Sequence, residues 1–315
     1  MLNRRHLRVK VLQTLYAHKL QKTKEFKSFE KILLDSVENV FELYIWLLSL
    51  LVEVADQSSI DAEQRANKYL PTPEDLLANA KLQDNRFIIS LKQNQEYINA
   101  VKKYKVSWHF DPEISRTVFL ALKDSKEYAD YLQSEDHSIR ADKDIIKHIF
   151  KKIILKMPGI VQVFEQKFIN WPVDKEVLQA LVAKTFKNFS SENPLENQLA
   201  AVCPNWGDDK PFIVTLFNKT VAFESEYEDL ITQQTDNWKT DRIATMDILL
   251  MRMAIAEVLH FPSIPVKVSI NEYIEIAKEF STPKSNSFIN GILDKVLSNL
   301  KKEGRIRKTD RGLLD

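Results

Sequence analysis

The chain has 315 residues, a formal net charge of +1, 44% hydrophobic residues and 28% charged residues. That hydrophobic content supports a packed core and excludes wholesale disorder. Only five glycines and one cysteine, Cys203, are present. This leaves little room for glycine-rich phosphate loops or tight hairpins and rules out an internal disulfide.

In chain order, residues 4–20 predict a helix, because Leu7, Val11, Leu12, Leu15 and Tyr16 recur at helical spacing. Residues 29–56 predict a second apolar-rich helix or pair, and 60–70 a polar one stopped by Pro71 and Pro73. Tyr44 to Val52 is the longest apolar stretch; it is too short to span a bilayer and contains Ser49. Long helices are expected over 76–105, 112–133 and 139–156, the last ended by Pro158-Gly159. A short apolar stretch at 160–169 follows, then a helix from near Pro172 through Phe189. The β-branched runs at 87–89 and 212–215 lack hairpin turns and are read as helix.

Residues 205–237 open with Asp208-Asp209-Lys210-Pro211, an acidic entry with proline near the first turn. Residues 241–259 form the next expected helix, capped by Thr240-Asp241. After Pro262 and Pro265, Ser269 and Glu272 have the spacing of a capping box, with Val268 and Tyr273 as its hydrophobic staple. Thr282-Pro283 separates this helix from the last one, which Gly304 ends.

No catalytic constellation emerges. The glycines are too scattered for a dinucleotide or Walker loop, and the six histidines show no metal-ligand spacing. No enzyme activity, metal or cofactor is expected. Lys102, Lys103, Tyr104 and Lys105 with Trp108 have the make-up of a single-strand platform, though a helix end over a buried tryptophan is favoured.

The N-terminal cluster Arg4, Arg5, His6, Arg8 and Lys10 is more pointed. Arg4 and Arg8 share the helix line of Val11, Leu12 and Leu15, so they extend the apolar stripe instead of lying on a solvated back. Positive charge at the positive end of a helix is unfavourable alone, and a phosphate would reverse that penalty. A frayed basic terminus is the alternative; the facing favours nucleic acid. In the last helix Gly291 admits two explanations, a close helix crossing or a ligand's approach. Phe288 is equally a core residue or a base-stacking one.

Three segments resemble the NusB family of transcription antitermination factors. They are Arg4-Arg5-His6-Leu7-Arg8 leading to Leu15-Tyr16; Asp241-Arg242-Ile243 leading to Ala254-Ile255-Ala256-Glu257; and Ile264 through Glu272 continuing to Phe288-Ile289-Asn290-Gly291-Ile292-Leu293-Asp294-Lys295. The resemblance covers residues 1–20 and about 206–300. It implies an all-α fold of paired helical bundles. It also implies a division into a first helix at 1–24, a mainly helical insertion at 25–205 of unassigned role, a helical core at 206–300 and a flexible basic tail at 301–315.

The function it implies is antitermination, chiefly on ribosomal RNA operons. The partners would be single-stranded boxA-like RNA, the ribosomal protein NusE and the RNA polymerase antitermination complex. RNA contacts would map onto Arg4, Arg5, His6, Arg8, Lys284, Ser285, Asn286 and Phe288, and NusE contacts onto Tyr16, Asp247 and Arg252. Two residues depart from the family's pattern: His6 replaces a more usual arginine, and Lys284 stands where an acidic residue is common.

A scaffold in ribosome biogenesis with secondary RNA contact is the alternative. An RNA methyltransferase fusion is disfavoured, because residues 25–205 contain only Gly159. The lone cysteine and the lack of a continuous apolar run near residue 1 point to a soluble cytoplasmic protein with no membrane partner.

Overall fold

The computed structural model describes residues 1–21, 26–72, 75, 79–190, 193–235 and 243–314. The helices in chain order begin with α1 (Arg4–Leu20), α2 (Phe26–Ala66), α3 (Arg86–Gln93), α4 (Gln95–Tyr104) and α5 (Pro112–Lys123). Next come α6 (Lys126–Gln133), α7 (Ile139–His148), α8 (Pro158–Lys167) and α9 (Trp171–Asn188). The series ends with α10 (Trp206–Ala222), α11 (Glu224–Thr232), α12 (Thr245–His260), α13 (Val266–Phe280) and α14 (Ser285–Lys302). No strand occurs among the described residues, so the fold is all-α as expected. No helix among them is long and apolar enough to cross a membrane.

The chain divides into a central unit, Glu38–Val202 with Met1, and a terminal unit, Leu2–Val37 with Cys203–Asp315.

In the central unit, α2 supplies the innermost helix, with every residue from Leu43 to Leu51 buried. The expected apolar and polar stretches, 29–56 and 60–70, join in one helix that ends at Ala66. Ser58 is absorbed by donating its hydroxyl to the Ala55 carbonyl at 2.6 Å, and the helix runs on. Trp171 is 1% exposed and lies parallel to Phe164, with centroids 4.8 Å apart. Phe87 packs against Phe186 and Phe189 at 5.1 and 4.9 Å. Trp108 is buried, as favoured over the platform reading, and Lys103 and Tyr104 are spent on Glu38.

Two of the expected long helices are broken, while 139–156 stays helical throughout and only changes its winding. Asn94 ends α3 and caps α4 through Tyr97 N–H at 2.9 Å, and Ser125 caps α6. Residues 149–153 widen into a π-turn that keeps Ile149, Phe150 and Ile153 inward. Pro158 opens α8 instead of merely ending what precedes it.

In the terminal unit, α12 is the hub. Asp247 to Val258 are all buried, and α1, α10, α11, α13 and α14 pack around it. The expected caps Thr240 and Asp241 lie outside the described residues.

The expected capping box at Ser269 is displaced. α13 starts at Val266 behind Pro265, so Ser269 lies within the helix and is fully buried, while Val268 is 45% exposed and no staple. Gly304 does end α14, with φ +69. A Cβ on the exposed Gly291 would meet nothing within 4 Å, so no helix crosses closely there.

Candidate nucleic-acid interface

The N-terminal ends of α1, α10 and α13 meet at a cleft of about 1260 Å³ in the terminal unit. Asn3 caps α1 reciprocally with His6: its side chain accepts from His6 N–H at 3.0 Å, and His6 Nδ1 accepts from Asn3 N–H at 3.2 Å. The starts of α10 and α13 carry no side-chain cap. Their outward N–H groups add partial positive charge to the cleft.

The three arginines of the basic run enter this cleft at different depths. Arg4 is 41% exposed, pairs with Asp209 at 3.0 Å and lies over Phe212 at 4.3 Å. Arg5 is 39% exposed and grips Glu272 with Nε and Nη2 at 3.1 and 2.9 Å. Arg8 is inside the protein. Its Nε and Nη2 both reach Glu257 at 2.7 Å, and its Nη1 lies 3.4 Å from Glu272.

Glu257 is fully buried and also accepts from Ser269 at 2.7 Å and Tyr273 at 2.9 Å. Burial works against the Arg8 charge, but the Glu257 hydrogen bonds and charge outweigh it and hold the guanidinium protonated. Arg8, expected to touch RNA, therefore acts from within, as the post that ties α1 to α12 and α13.

The second expected RNA segment lies elsewhere. Ser285 is buried and donates to Asp247 at 2.8 Å, and Ser281 reaches the other oxygen of the same carboxylate. Asp247 thus anchors the turn between α13 and α14. Lys284 is exposed, while Asn286 and Phe288 are half-buried. Asp247 and Glu257 stand ten residues apart on α12, roughly 15 Å along a helix. The two segments consequently sit near opposite ends of α12.

Of the residues expected to face NusE, Tyr16 is 38% exposed, while Asp247 and Arg252 are buried at 5% and 2%. Arg252 donates to Glu224 at 2.6 Å, Glu228 at 3.3 Å and the Thr220 carbonyl at 3.1 Å, which fixes α11 and α10 to α12.

Sequence reasoning missed the acceptors. The signal was Glu257 itself, a carboxylate in the otherwise apolar run Met253–Val258. It also missed the docking of the C-terminal segment, expected to be flexible. Thr309 N–H bonds the Pro262 carbonyl at 3.1 Å, and Lys308 reaches the Phe261 carbonyl at 3.1 Å. Cys203 is half-buried, and its thiol is pushed up to about 11 by burial and by nearby Asp209, which makes it a poor nucleophile.

The Arg5 hydrogen bonds, aided by the Arg8 charge, hold the Glu272 carboxyl below its ordinary value of 4.5. A depressed carboxyl contributes stability that is complete above the unfolded value and lost as pH falls through the folded one. Urea unfolding across pH 7 to 3 is expected to show this acid loss in the parent chain and less of it in Glu272→Gln. Parallel pH profiles for the two proteins would count against the ion pair.

A family model described as "NusB family" matches residues 175–298, leaving α1 outside the match. The transcription antitermination protein NusB of Salinibacter ruber is 37% identical over 140 residues, 44% of this chain and 88% of that protein. Its counterpart in Chloroherpeton thalassium is 45% identical over 106 residues, 34% of this chain and half of that protein. The Natranaerobius thermophilus counterpart is 43% identical over 91 residues, 29% of this chain and 66% of that protein. Identity at this level runs through nearly all of the Salinibacter protein, and the family match takes in α10 and α13, two of the helices that form the cleft; the chain belongs to the NusB family.

Proposed function

We propose that the chain is a cytoplasmic transcription antitermination factor that binds single-stranded, boxA-like RNA with NusE, within an RNA polymerase antitermination complex. The carrying observation is the terminal-unit cleft, where Arg4 and Arg5 keep about two-fifths of their side-chain surface open beside two uncapped helix starts. Family membership and the relatives' printed names support the antitermination role. In this reading Arg4, Arg5 and His6 contact the RNA at one end of α12, and Lys284, Asn286 and Phe288 at the other. Arg8 and Ser285 hold these surfaces from beneath. Tyr16 faces NusE, with Asp247 and Arg252 shaping the helices behind it.

RNA affinity, read by fluorescence anisotropy on a labelled single strand, is expected to fall steeply with salt and to rise when NusE is added. Replacing Arg4 and Arg5 together with alanine should weaken binding about tenfold or more and flatten the salt dependence by roughly 1.4 in log–log slope. Glu272 is partly exposed but Asp209 is buried, so circular dichroism and urea unfolding of the double variant are read alongside to separate lost contact from lost folding. Unchanged affinity in the double variant would reject the cleft, and indifference to NusE would reject that partner.

A further inference from the structure

We propose that Arg311, carried by the C-terminal segment, is a phosphate-binding residue of this cleft, and that Gly312 is what seats it there. The inference rests on the RNA-binding reading and adds to it a residue far outside the N-terminal basic run.

The first observation is placement. Residues Asp310–Leu313 form a short 3-10 turn, entered through Asp310 at φ 49, and Arg311 and Leu314 both line the cleft. The second is the seat. Gly312 is buried against the loop between α12 and α13, and a Cβ there would stand 1.9 Å from the Pro262 carbonyl oxygen. No other residue type fits that approach without moving the backbone. The turn is closed by Gly312 N–H on the Thr309 carbonyl at 2.8 Å and tied to Pro262 by Thr309 N–H at 3.1 Å.

The third observation decides the chemistry. Arg4, Arg5 and Arg8 each have a carboxylate of the protein already in hand: Asp209, Glu272 and Glu257 respectively. Arg311 is exposed, and its side chain makes no ion pair or hydrogen bond among the described residues. The carboxylates lining the same cleft are Asp208 and Glu272, and Glu272 is shared by Arg5 and Arg8. Arg311 thus keeps its full fork of donors for an incoming anion. A guanidinium so placed suits the paired oxygens of a phosphodiester. Beside it, the exposed Val268 and Leu314 and the ring of Phe261 offer apolar surface for a sugar or base, which favours a nucleotide strand over a simple anion.

The test is anisotropy titration of a labelled single-stranded RNA with the full chain over a range of salt. The parent is compared with Arg311→Ala, Gly312→Val and Arg307→Ala. Arg311→Ala is expected to weaken binding about tenfold and lower the salt slope by about 0.7, the contribution of one single-strand phosphate. Gly312→Val should reproduce that loss with unchanged circular dichroism, because it unseats the segment that carries Arg311. Arg307 lies on the same segment but lines a separate cavity with Phe223 and Tyr227, so Arg307→Ala should lose less than twofold.

Parent-like affinity in Arg311→Ala, or an equal loss in Arg307→Ala, overturns the assignment. Tighter binding of a glutamate-rich peptide than of RNA, also lost in Arg311→Ala, overturns RNA as the ligand of this residue. A parent chain that shows no salt-dependent RNA binding fails earlier, at the functional reading itself.

Discussion

Arg8→Met is expected to lower the stability of the terminal unit by about 3–5 kcal/mol, measured by urea unfolding. The size follows from what remains. The Glu257 carboxylate is wholly shut off from solvent and would keep only the hydroxyls of Ser269 and Tyr273. Charge left in that position has lost two 2.7 Å bonds and its counter-ion together. Removing both charges is a different experiment, since a buried pair replaced by apolar groups of similar volume is often close to neutral. Arg8→Met with Glu257→Met should therefore recover much of the loss, held back only by the two hydroxyls left without an acceptor. A cost below about 1 kcal/mol for the single variant would mean the pair is solvated, as surface pairs are. RNA affinity should also fall in Arg8→Met, through misplacement of Arg4 and Arg5 on α1.

Trp171→Ala is expected to cost the central unit about 3–5 kcal/mol, the range for deleting a large buried aromatic side chain. Trp171 opens α9 and is the largest fully buried side chain among the described residues, stacked on Phe164. Phe164 in turn meets Trp108 edge-on at 5.9 Å, and Trp108 meets Trp46 of α2 at 5.2 Å. The cavity would thus open inside a connected aromatic cluster that cannot collapse without shifting several rings. Trp171→Phe keeps a ring over Phe164 and should lose markedly less. Equal denaturation midpoints for Trp171→Ala and the parent would show that this cluster does not carry the core.

Much of the fold was legible from spacing alone. α1 was read with its observed limits, because its apolar positions repeat without interruption and no breaker intervenes. α9 was read to within a residue or two, with Pro172 marking its first turn. The internal breaks at Asn94 and Ser125 were overlooked because apolar periodicity runs through them; only their capping side chains reveal the interruption.

Ser269 shows the opposite error. Its spacing to Glu272 fits a capping box, but Pro265 had already set the helix start, and both side chains are drawn to partners beyond α13. The facing of Arg4 and Arg8 towards the apolar stripe was correctly legible. What they pair with was not, because Arg8 and Glu257 are separated by 249 positions. The C-terminal segment read as a solvated basic tail because composition registers its charges and says nothing of the close approach at Gly312.

The tie between Arg8 and Glu257 also sets an order of events during synthesis. Every helix that packs on α1 in the terminal unit from outside its own first stretch, namely α10, α12 and α13, begins at residue 206 or later. At a ribosomal pace of about 5–20 residues per second, α1 waits roughly 10–50 s for the carboxylate that will neutralise Arg8. The central unit's chain is complete well before then. Through that interval the apolar stripe and arginines of α1 are without the helices that shelter them in the finished terminal unit.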